Sequence, residues 1–341
     1  MNLSYRARRA LRNFGIGVLI FLLLMVLVWV IWLLWLDRYI VYTRDGVKLD
    51  FSQSVGELSG QPAVPPSFDF EVPIYYNEGD NALTLSTELA QLGGYYVTRD
   101  MLIQDISGIE TMLRKLPPQM PIMIEMKDIV GRYFYDTSLG PAHKDIDLEK
   151  MERLVKYLVA SDHYVIARVP ALRDYYYGLN NVPDGLPTAG GYLWMESGTN
   201  CYWLNPSSKG THSYLLQTAI ELKEMGFDEV LFSDFRFPDT DRIVFSGSKD
   251  KALADAAKEL VTAGATEHFA ISFLVEKASF PLPEGRTRMY LEGQTASSLK
   301  ALSEATKLED PKIRLVFVTD LNDTRFDEYS VLRPITSAEL D

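Results

Sequence analysis

Strand-like and helix-like segments alternate from residue 93 to residue 320, and this alternation constrains the fold more than any other feature of the sequence. Short, mainly apolar runs that fit buried strands occupy residues 93–100, 121–128, 164–170, 228–235, 269–276, 286–293 and 313–320. Between them, apolar residues recur at helical spacing, for example Leu148, Met151, Leu154, Val155 and Leu158. Strands that alternate with helices are joined by crossover connections, so the sequence predicts an α/β fold with a parallel sheet.

The strand count favours a TIM-type (β/α)8 barrel. Seven strands are evident after residue 93, and the chain length suits a barrel of about 250 residues. The eighth strand stays open: either residues 71–76 supply it, or the barrel is incomplete or irregular. Ser248 is predicted to cap the helix that ends near Gly264, and Thr295 is predicted to cap the helix that ends near Lys307.

Residues 15–36 form an uncharged and almost wholly apolar run that, as a helix, is long enough to cross a bilayer core of about 30 Å. Four arginines and no acids precede this run, and three tryptophans lie toward its far end. The pattern predicts one N-terminal transmembrane helix, with the N-terminus in the cytoplasm and the rest of the protein outside. A cleaved signal peptide is the alternative, but its apolar core spans only about 7–15 residues, and residues 35–43 offer no small-residue cleavage site.

These features divide the chain into five predicted parts: a cytoplasmic basic tail at 1–14, a transmembrane helix at 15–36, a stalk at 37–70, a barrel domain at 71–335 and a tail at 336–341. The net charge of −12 argues against nucleic acid as a partner. Cys201 is the only cysteine, so no disulfide forms within the chain. An exported protein of this size without a disulfide must be held together by its hydrophobic core. The absence of a disulfide favours a bacterial envelope protein over a eukaryotic secreted one. The four histidines lack metal-ligand spacing, and no metal or cofactor is expected.

Six of the predicted strands end in, or run directly into, a carboxylate: Asp100, Asp128, Asp234, Glu276, Glu292 and Asp320. Glu125 lies inside the second strand, and Asp174 lies just past the third. In a barrel the carboxyl ends of all strands share the face that carries active sites, and glycoside hydrolysis needs two carboxyl groups across one bond. Acids are also favoured there as helix caps, so most of the six are expected to be structural, as are Asp228 and Glu229 at the opposite end.

The most informative strand end is GFDEVLFSDFRFP, residues 226–238. Gly226 suits the end of a helix, a short apolar run suits a buried strand, and Asp234 and Arg236 follow it. A buried acid and a buried guanidinium are costly unless they are satisfied. From spacing alone two interpretations stay open: a structural Asp234–Arg236 ion pair that closes a strand, or a polar site at the carboxyl end of a central strand.

The long connection between Pro170 and Pro206 is rich in aromatic residues: Tyr175, Tyr176, Tyr177, Tyr192, Trp194, Tyr202 and Trp203. Long loops usually have a function, and exposed aromatic faces are surfaces on which sugar rings stack. The alternative is that the loop packs its own aromatic residues into a small core.

Four sequence blocks, in the right order, resemble the glycoside hydrolase-like TIM-barrel family DUF4015 (domain of unknown function 4015). Residues 122–136 resemble its second-strand block, with an acid, a Lys-Asp pair and a glycine before a tyrosine. Residues 164–174 resemble its third-strand block, residues 192–206 its Trp…Trp-Asn-Pro segment, and residues 226–238 its fourth-strand signature. The resemblance covers about residues 93–238 and implies a TIM barrel with glycosidase activity on a glycan.

One position departs from the family pattern. The family usually carries its fourth-strand acid at the position of Ser233, whereas this chain has Asp234 one residue later. A step of one residue along a strand turns a side chain to the other face. Either Asp234 works from an altered strand end, or this protein has lost its catalytic acid.

Together, the acids and the resemblance predict a membrane-anchored, extracytoplasmic glycoside hydrolase that acts on a cell-envelope or environmental polysaccharide. Asp234 is expected to be the nucleophile or base, and Glu125, Asp128, Glu276 or Glu292 the partner acid. Substrate contacts are expected from Arg168, Asp174, Trp194, Trp203, Asn205 and Arg236. The alternative is a barrel that binds glycan without cleaving it, as a surface anchor or an envelope-assembly component.

Overall fold

The computed structural model describes residues 89–335 continuously, and two compact units divide the chain at Asn81 and Ala82. In the first unit it describes an antiparallel pair of short strands, Ile40–Thr43 and Gly46–Leu49, and seven helical residues between positions 22 and 32. Within these described parts, no helix is both long and apolar enough to span a bilayer. The predicted transmembrane segment 15–36, most of the stalk, the strand at 71–76 and the tail at 336–341 lie largely or wholly outside the described residues.

Eight parallel strands close into a barrel in the second unit. In chain order, β1 to β8 are Gly93–Val97, Pro121–Glu125, Tyr164–Pro170, Glu229–Ser233, Ala270–Leu274, Met289–Glu292, Leu315–Val318 and Ser330–Pro334. Each strand pairs in parallel with the next, and β8 pairs with β1 to close the ring. The predicted closed barrel of the TIM type is confirmed.

The eighth strand, which the sequence left open, is Ser330–Pro334. It lies between β7 and β1, with Val331 opposite Gly93 and Leu332 opposite Gly94. Only five residues long and ending in a proline, this strand follows a 3-10 turn rather than a helix, so it gave no clear periodic signal. The barrel is therefore complete in its strands. Its irregularity is in the helices, because residues 275–288, all described, contain no helix between β5 and β6.

The helices of the second unit, α1 to α7, are Arg99–Leu113, Leu148–Ala160, Tyr175–Asn180, Lys209–Glu224, Lys249–Gly264, Leu299–Thr306 and Pro311–Arg314. Ser248 caps α5 as predicted, since its side chain accepts a hydrogen bond from the backbone N–H of Lys251. The predicted cap at Thr295 is wrong: residues 295–298 form a turn, and α6 begins only at Leu299. Gly226 follows α4 with a φ of 95°, the left-handed conformation that favours glycine after a helix.

Side chains on the strands alternate between the helix layer and the barrel interior. The interior is a packed core, built from Met123, Ile166, Leu231, Tyr290, Val316 and Leu332 among others. Two residues further along four of these strands, the same inward face carries Glu125, Arg168, Ser233 and Glu292. The barrel interior is therefore apolar up to this level and becomes polar two residues later, at the carboxyl end of the strands.

Candidate active site

Arg168 joins two carboxylates across the mouth of the barrel. Its guanidinium contacts Glu292 through Nη1 at 2.5 Å and Nη2 at 3.3 Å, and its Nε lies 3.9 Å from Oε1 of Glu125. Glu125 and Arg168 are also direct neighbours in the register of β2 and β3. Burial opposes the charge of Arg168, but Glu292, Glu125 and Asp234 outweigh it and raise the pKa of this side chain. The mouth thus contains a fixed positive charge between acids.

Glu125 has the environment of a general acid. Burial raises the pKa of its carboxyl group, and the opposing effects of Arg168 and of the Arg99 N–H do not cancel that increase. The Arg99 N–H, in the first turn of α1, donates to Oε2 of Glu125 at 2.6 Å and fixes the orientation of the carboxyl group. A glutamic acid that keeps its proton to higher pH is suited to protonate a leaving group.

Asp234 lies at an altered strand end. It adopts a φ of 50°, in the left-handed region that non-glycine residues rarely occupy. β4 ends at Ser233, whose buried side chain continues the inward-facing row, and the left-handed turn redirects the residue that follows. Asp234 nevertheless lines the barrel mouth with Glu125. The strand end is thus altered at Asp234, as the first of the two alternatives for the shifted acid requires.

The ion-pair partner of Asp234 is Arg173, which the sequence analysis did not single out. Nη1 of Arg173 donates to Asp234 Oδ1 at 3.1 Å, while its Nη2 donates to Glu196 Oε2 at 2.6 Å. The Asp234–Arg236 pair allowed by spacing is replaced by this contact, and Arg236 instead lies 3.2 Å from Glu276. The reason is topological, because Arg173 follows β3, the strand adjacent to β4.

Glu196 holds the other side of Arg173. It belongs to a two-stranded hairpin, Met195–Glu196 with Cys201–Tyr202, within the long aromatic connection. The Thr199 hydroxyl also donates to Glu196 at 2.6 Å. Although burial works against it, these contacts from Thr199 and Arg173 lower the pKa of Glu196. The aromatic connection therefore reaches the site through a carboxylate and not through a sugar-stacking ring.

A cleft of about 300 Å3 opens at the carboxyl end of the barrel beside these groups. Its lining includes Asp100, Glu125, Asp128, Arg168, Ser233 and Asp234. The structure thus brings together three of the predicted catalytic acids, Glu125, Asp128 and Asp234, with the predicted substrate contact Arg168. Asp100 lies on the rim and pairs with Arg99 at 2.8 Å.

Asp128 organises the loop that follows β2. Its Oδ1 accepts hydrogen bonds from the backbone N–H groups of Val130 and Arg132, both at 2.9 Å. Its Oδ2 lies 3.5 Å from Nε2 of His143. Burial lowers the pKa of His143, so this imidazole is neutral at neutral pH. Asp128 borders the cleft, but most of its hydrogen bonds hold the backbone of the loop after β2 in place.

Asp174 lies beneath the cleft, not on its surface. It is completely buried and forms a 2.7 Å ion pair with Lys127, which is also buried. Its carboxylate also accepts hydrogen bonds from the Tyr177 N–H and the Tyr214 hydroxyl, both at 2.7 Å. The predicted direct contact with substrate does not fit this position, because the carboxylate offers no accessible surface. Sequence spacing could not show that α3 and α4 cover it.

Trp203 is fully buried as well, which conflicts with its predicted role as a sugar platform. Two guanidinium groups pack on its ring, with Arg236 at 4.9 Å and Arg173 at 5.4 Å from the ring centroid. The small-core interpretation of the loop applies to this residue. Trp194 is half-buried and packs against the core, while Tyr192 is the exposed ring of the loop at 78% accessibility.

The remaining predicted residues are outside the cleft lining. Asn205 shapes the turn before α4, since its side-chain oxygen accepts from the Ser207 N–H at 2.9 Å. Glu276 is exposed beyond β5 and pairs with Arg236, at the edge of a second cavity. Glu292 lies in the mouth, bound to Arg168. Tyr96 was missed by the sequence analysis: it lies opposite Met123 and packs on the barrel interior, and burial, Asp320 and Glu292 raise its pKa.

Several solved structures resemble this barrel in fold. A GH20 exo-β-N-acetylglucosaminidase from Vibrio harveyi, solved with N-acetylglucosamine, superposes with a TM-score of 0.51 at 8% identity over 73% of this chain and 51% of that chain. A GH36 α-galactosidase from Geobacillus stearothermophilus gives 0.48 at 12% identity, over 74% and 40%. A hypothetical protein from Ruminiclostridium thermocellum gives 0.45 at 18% identity, over 53% and 96%.

At these identities the likeness shows the fold alone, and this chain spans about half of the Vibrio enzyme. No protein with a curated description matches the sequence. The family comparison is more specific, because residues 118–275 match the model of DUF4015, described as "Putative glycosyl hydrolase domain". The matched range begins just before β2, ends just after β5 and contains Glu125, Arg168, Arg173 and Asp234. The family resemblance indicated by the four sequence blocks is therefore confirmed: residues 118–275 match the DUF4015 family model.

Proposed function

We propose that this protein is a glycoside hydrolase, anchored in a membrane by residues 15–36, whose barrel acts outside the cytoplasm on a cell-envelope or environmental polysaccharide. One observation carries the catalytic part of the proposal. Glu125 and Asp234 line a single cleft at the carboxyl end of the barrel, and their environments differ. Burial raises the pKa of Glu125, whereas Asp234 is ion-paired with Arg173.

These two environments match the two roles that glycoside hydrolysis requires. Glu125 would donate its proton to the glycosidic oxygen as the bond to the anomeric carbon breaks. Asp234 would act on the opposite side of the sugar, either attacking the anomeric carbon or removing a proton from the attacking water. Arg168 would stabilise the carboxylate that Glu125 becomes, because its guanidinium already lies 3.9 Å from that group.

Further substrate contacts would come from predicted residues outside the cleft lining. Arg236 and Trp194 are partly accessible, and Asn205 lies in the turn that completes the aromatic connection. Glu292, Glu276 and Asp128 would hold arginines and loop backbone in place rather than exchange protons with substrate, since ion pairs or backbone hydrogen bonds engage each of them. We expect a glycan as the partner and no nucleic acid, given the net charge of −12.

The catalytic proposal is tested by screening the full-length protein in detergent micelles against polysaccharide and peptidoglycan panels for the release of reducing ends. Activity is expected on at least one glycan, and Asp234→Asn and Glu125→Gln should each abolish it. Glu152→Gln, an exposed change on the outer helix α2, is the matched control and should retain activity. Reducing ends that still appear with both acid variants would contradict the assignment. Glycan binding without turnover, unchanged by Asp234→Asn, would support the non-catalytic alternative.

The topology is a separate proposal. The arginines before residue 15 oppose translocation of the N-terminus, and the apolar run is long enough to remain as a single span. Protease treatment of intact cells, or of spheroplasts where an outer membrane is present, should remove a C-terminal tag and leave an N-terminal tag protected on a short fragment. Release of a barrel that begins near residue 37 into the medium would instead identify a cleaved signal peptide.

A further inference from the structure

A second cavity, here called the β4–β5 groove, lies beside the cleft and shares none of its lining residues. It has a volume of about 390 Å3 and is formed by residues 235–239 after β4, the first turn of α5 and residues 275–281 after β5. Its volume is in the lower part of the ~300–1,000 Å3 range of small-molecule sites. Both flanking strands belong to the region that matches the glycosyl hydrolase family model.

The groove has an apolar floor and a charged rim. The floor includes Phe235, Leu253, Val275 and Phe280, all buried. The rim carries three cations and three acids, so its charge is balanced. Arg236 pairs with Glu276 at 3.2 Å, Lys277 lies 3.8 Å from Asp250, and Lys249 lies over the ring of Phe237 at 5.4 Å. An apolar surface bordered by hydrogen-bonding groups of both signs suits the amphipathic faces of an uncharged sugar better than an anionic polymer.

The groove adjoins the candidate active site along the chain, because its first residue, Phe235, directly follows Asp234. Arg236, which lines the groove, and Arg173, which binds the Asp234 carboxylate, both pack on the ring of Trp203. A glycan bound over Asp234 that extends toward β5 would pass the Arg236–Glu276 pair to reach the groove.

We propose that the β4–β5 groove is a second sugar subsite, which takes a neutral or N-acetylated residue of the same glycan, next to the unit bound over Asp234. The inference rests on the proposed function for its ligand class, but it concerns binding and not the chemical step. It predicts that affinity depends on chain length, because a single sugar fills the cleft alone and a longer oligosaccharide also fills the groove.

The test blocks the groove without altering the cleft. Ser279 is an exposed residue of the groove wall, and Ser279→Trp adds bulk there; Ser107→Trp, on the exposed face of α1, is the matched control. Full-length protein with Asp234→Asn is titrated, by ligand-observed NMR, with mono- to hexasaccharides of β-1,4-linked N-acetylglucosamine and of β-1,4-linked galactose, and with anionic oligogalacturonate. Affinity should rise at least tenfold from mono- to trisaccharide for a neutral series, and Ser279→Trp alone should remove that gain.

Four outcomes would overturn the subsite: affinity independent of length, a length gain that survives Ser279→Trp, tighter binding of oligogalacturonate than of the neutral series, or no binding of any probe. Hydrolysis assays on the otherwise unmodified protein separate this inference from the proposed function. Length-dependent binding that Ser279→Trp abolishes, without any hydrolysis, would leave the subsite standing and remove the catalytic proposal. Hydrolysis in which Ser279→Trp and wild type have equal kcat/KM at every chain length would instead remove the subsite and leave the catalytic proposal standing.

Discussion

Two clusters of charged side chains lie at opposite ends of the barrel interior, and they differ in their access to solvent. The lower cluster, at the amino end, pairs Glu229 with Arg288, both completely buried, and the hydroxyls of Tyr164 and Tyr290 each donate to Glu229 at 2.8 Å. The upper cluster, at the carboxyl end, consists of Glu125, Arg168 and Glu292, whose side chains are 19–35% exposed. Both are carboxylate–arginine networks within one sheet.

The difference shows how one barrel separates stability from chemistry. In the lower cluster Arg288 also donates to the backbone oxygens of Ala90 and Ile313, so charge and hydrogen-bonding capacity are used within the protein. This agrees with the structural role expected for Glu229. In the upper cluster Glu125 and Arg168 line a cleft, and burial raises the pKa of Glu125 despite the opposing charge of Arg168. A closed network stabilises the fold, whereas an open one leaves a proton available to a ligand.

The largest expected effect is on catalysis and comes from the upper cluster. Glu125→Gln keeps the size of the side chain but removes the transferable proton, so kcat/KM should fall by about 10²–10⁴-fold, the usual contribution of general acid catalysis. The thermal midpoint should change little, because the carboxamide still accepts from the Arg99 N–H. A variant that loses less than tenfold in kcat/KM would remove Glu125 from the role of acid.

The matching change in the lower cluster should affect stability instead. Glu229→Gln leaves the buried Arg288 guanidinium without its counter-charge, and breaking a buried pair in this way costs about 3–5 kcal/mol. Urea denaturation of wild type and variant gives the free energies of unfolding, and kcat per folded molecule should stay unchanged. Comparable denaturation midpoints would show that the lower cluster does not stabilise the barrel.

An intermediate effect is expected at Arg173, which links Asp234 to the aromatic connection. Arg173→Met removes charge-assisted hydrogen bonds to Asp234 and Glu196, each worth about 1.5–3 kcal/mol. Loss of the bond to Asp234 should lower kcat/KM by roughly 10–100-fold, the rate equivalent of that energy. Arg173→Lys, which keeps the charge but not the two-pronged geometry, should recover part of the loss. An unchanged kcat/KM in Arg173→Met would reduce Arg173 to a structural role.

The smallest effect concerns pH and stability at Glu125. Its pKa in the folded protein lies above the ordinary value of 4.5 because of burial. The contribution of this group to stability is therefore complete below its unfolded pKa and is lost as pH rises through the folded value. The free energy of unfolding of wild type relative to Glu125→Gln should decrease over that window. A difference that is constant with pH, or that increases, would contradict the raised pKa.

The order of elements was predictable from the sequence because its signals are local. The helical spacing from Leu148 to Leu158, the Ser248 cap and the Gly226 stop all depend on neighbours within a few residues, and the structure confirms α2, α5 and the end of α4. The same local reasoning placed Glu292 and Asp234 at the carboxyl ends of strands and Glu125 inside a strand that the structure ends at Glu125. In a parallel barrel those ends share one face, so their convergence followed from the fold class.

Only the tertiary structure decided which of these groups meet and which are hidden. Asp234 pairs with a residue 61 positions away, and Arg168 with one 124 positions away, so no spacing rule could choose these partners. The burial of Asp174 and Trp203 depends on helices and loops that fold over them. The residue types of Asp174 and Trp203 did not indicate that other segments would bury them. Sequence determined the elements because backbone conformation responds to near neighbours; packing decided the site because pairing and burial depend on segments far apart in the chain.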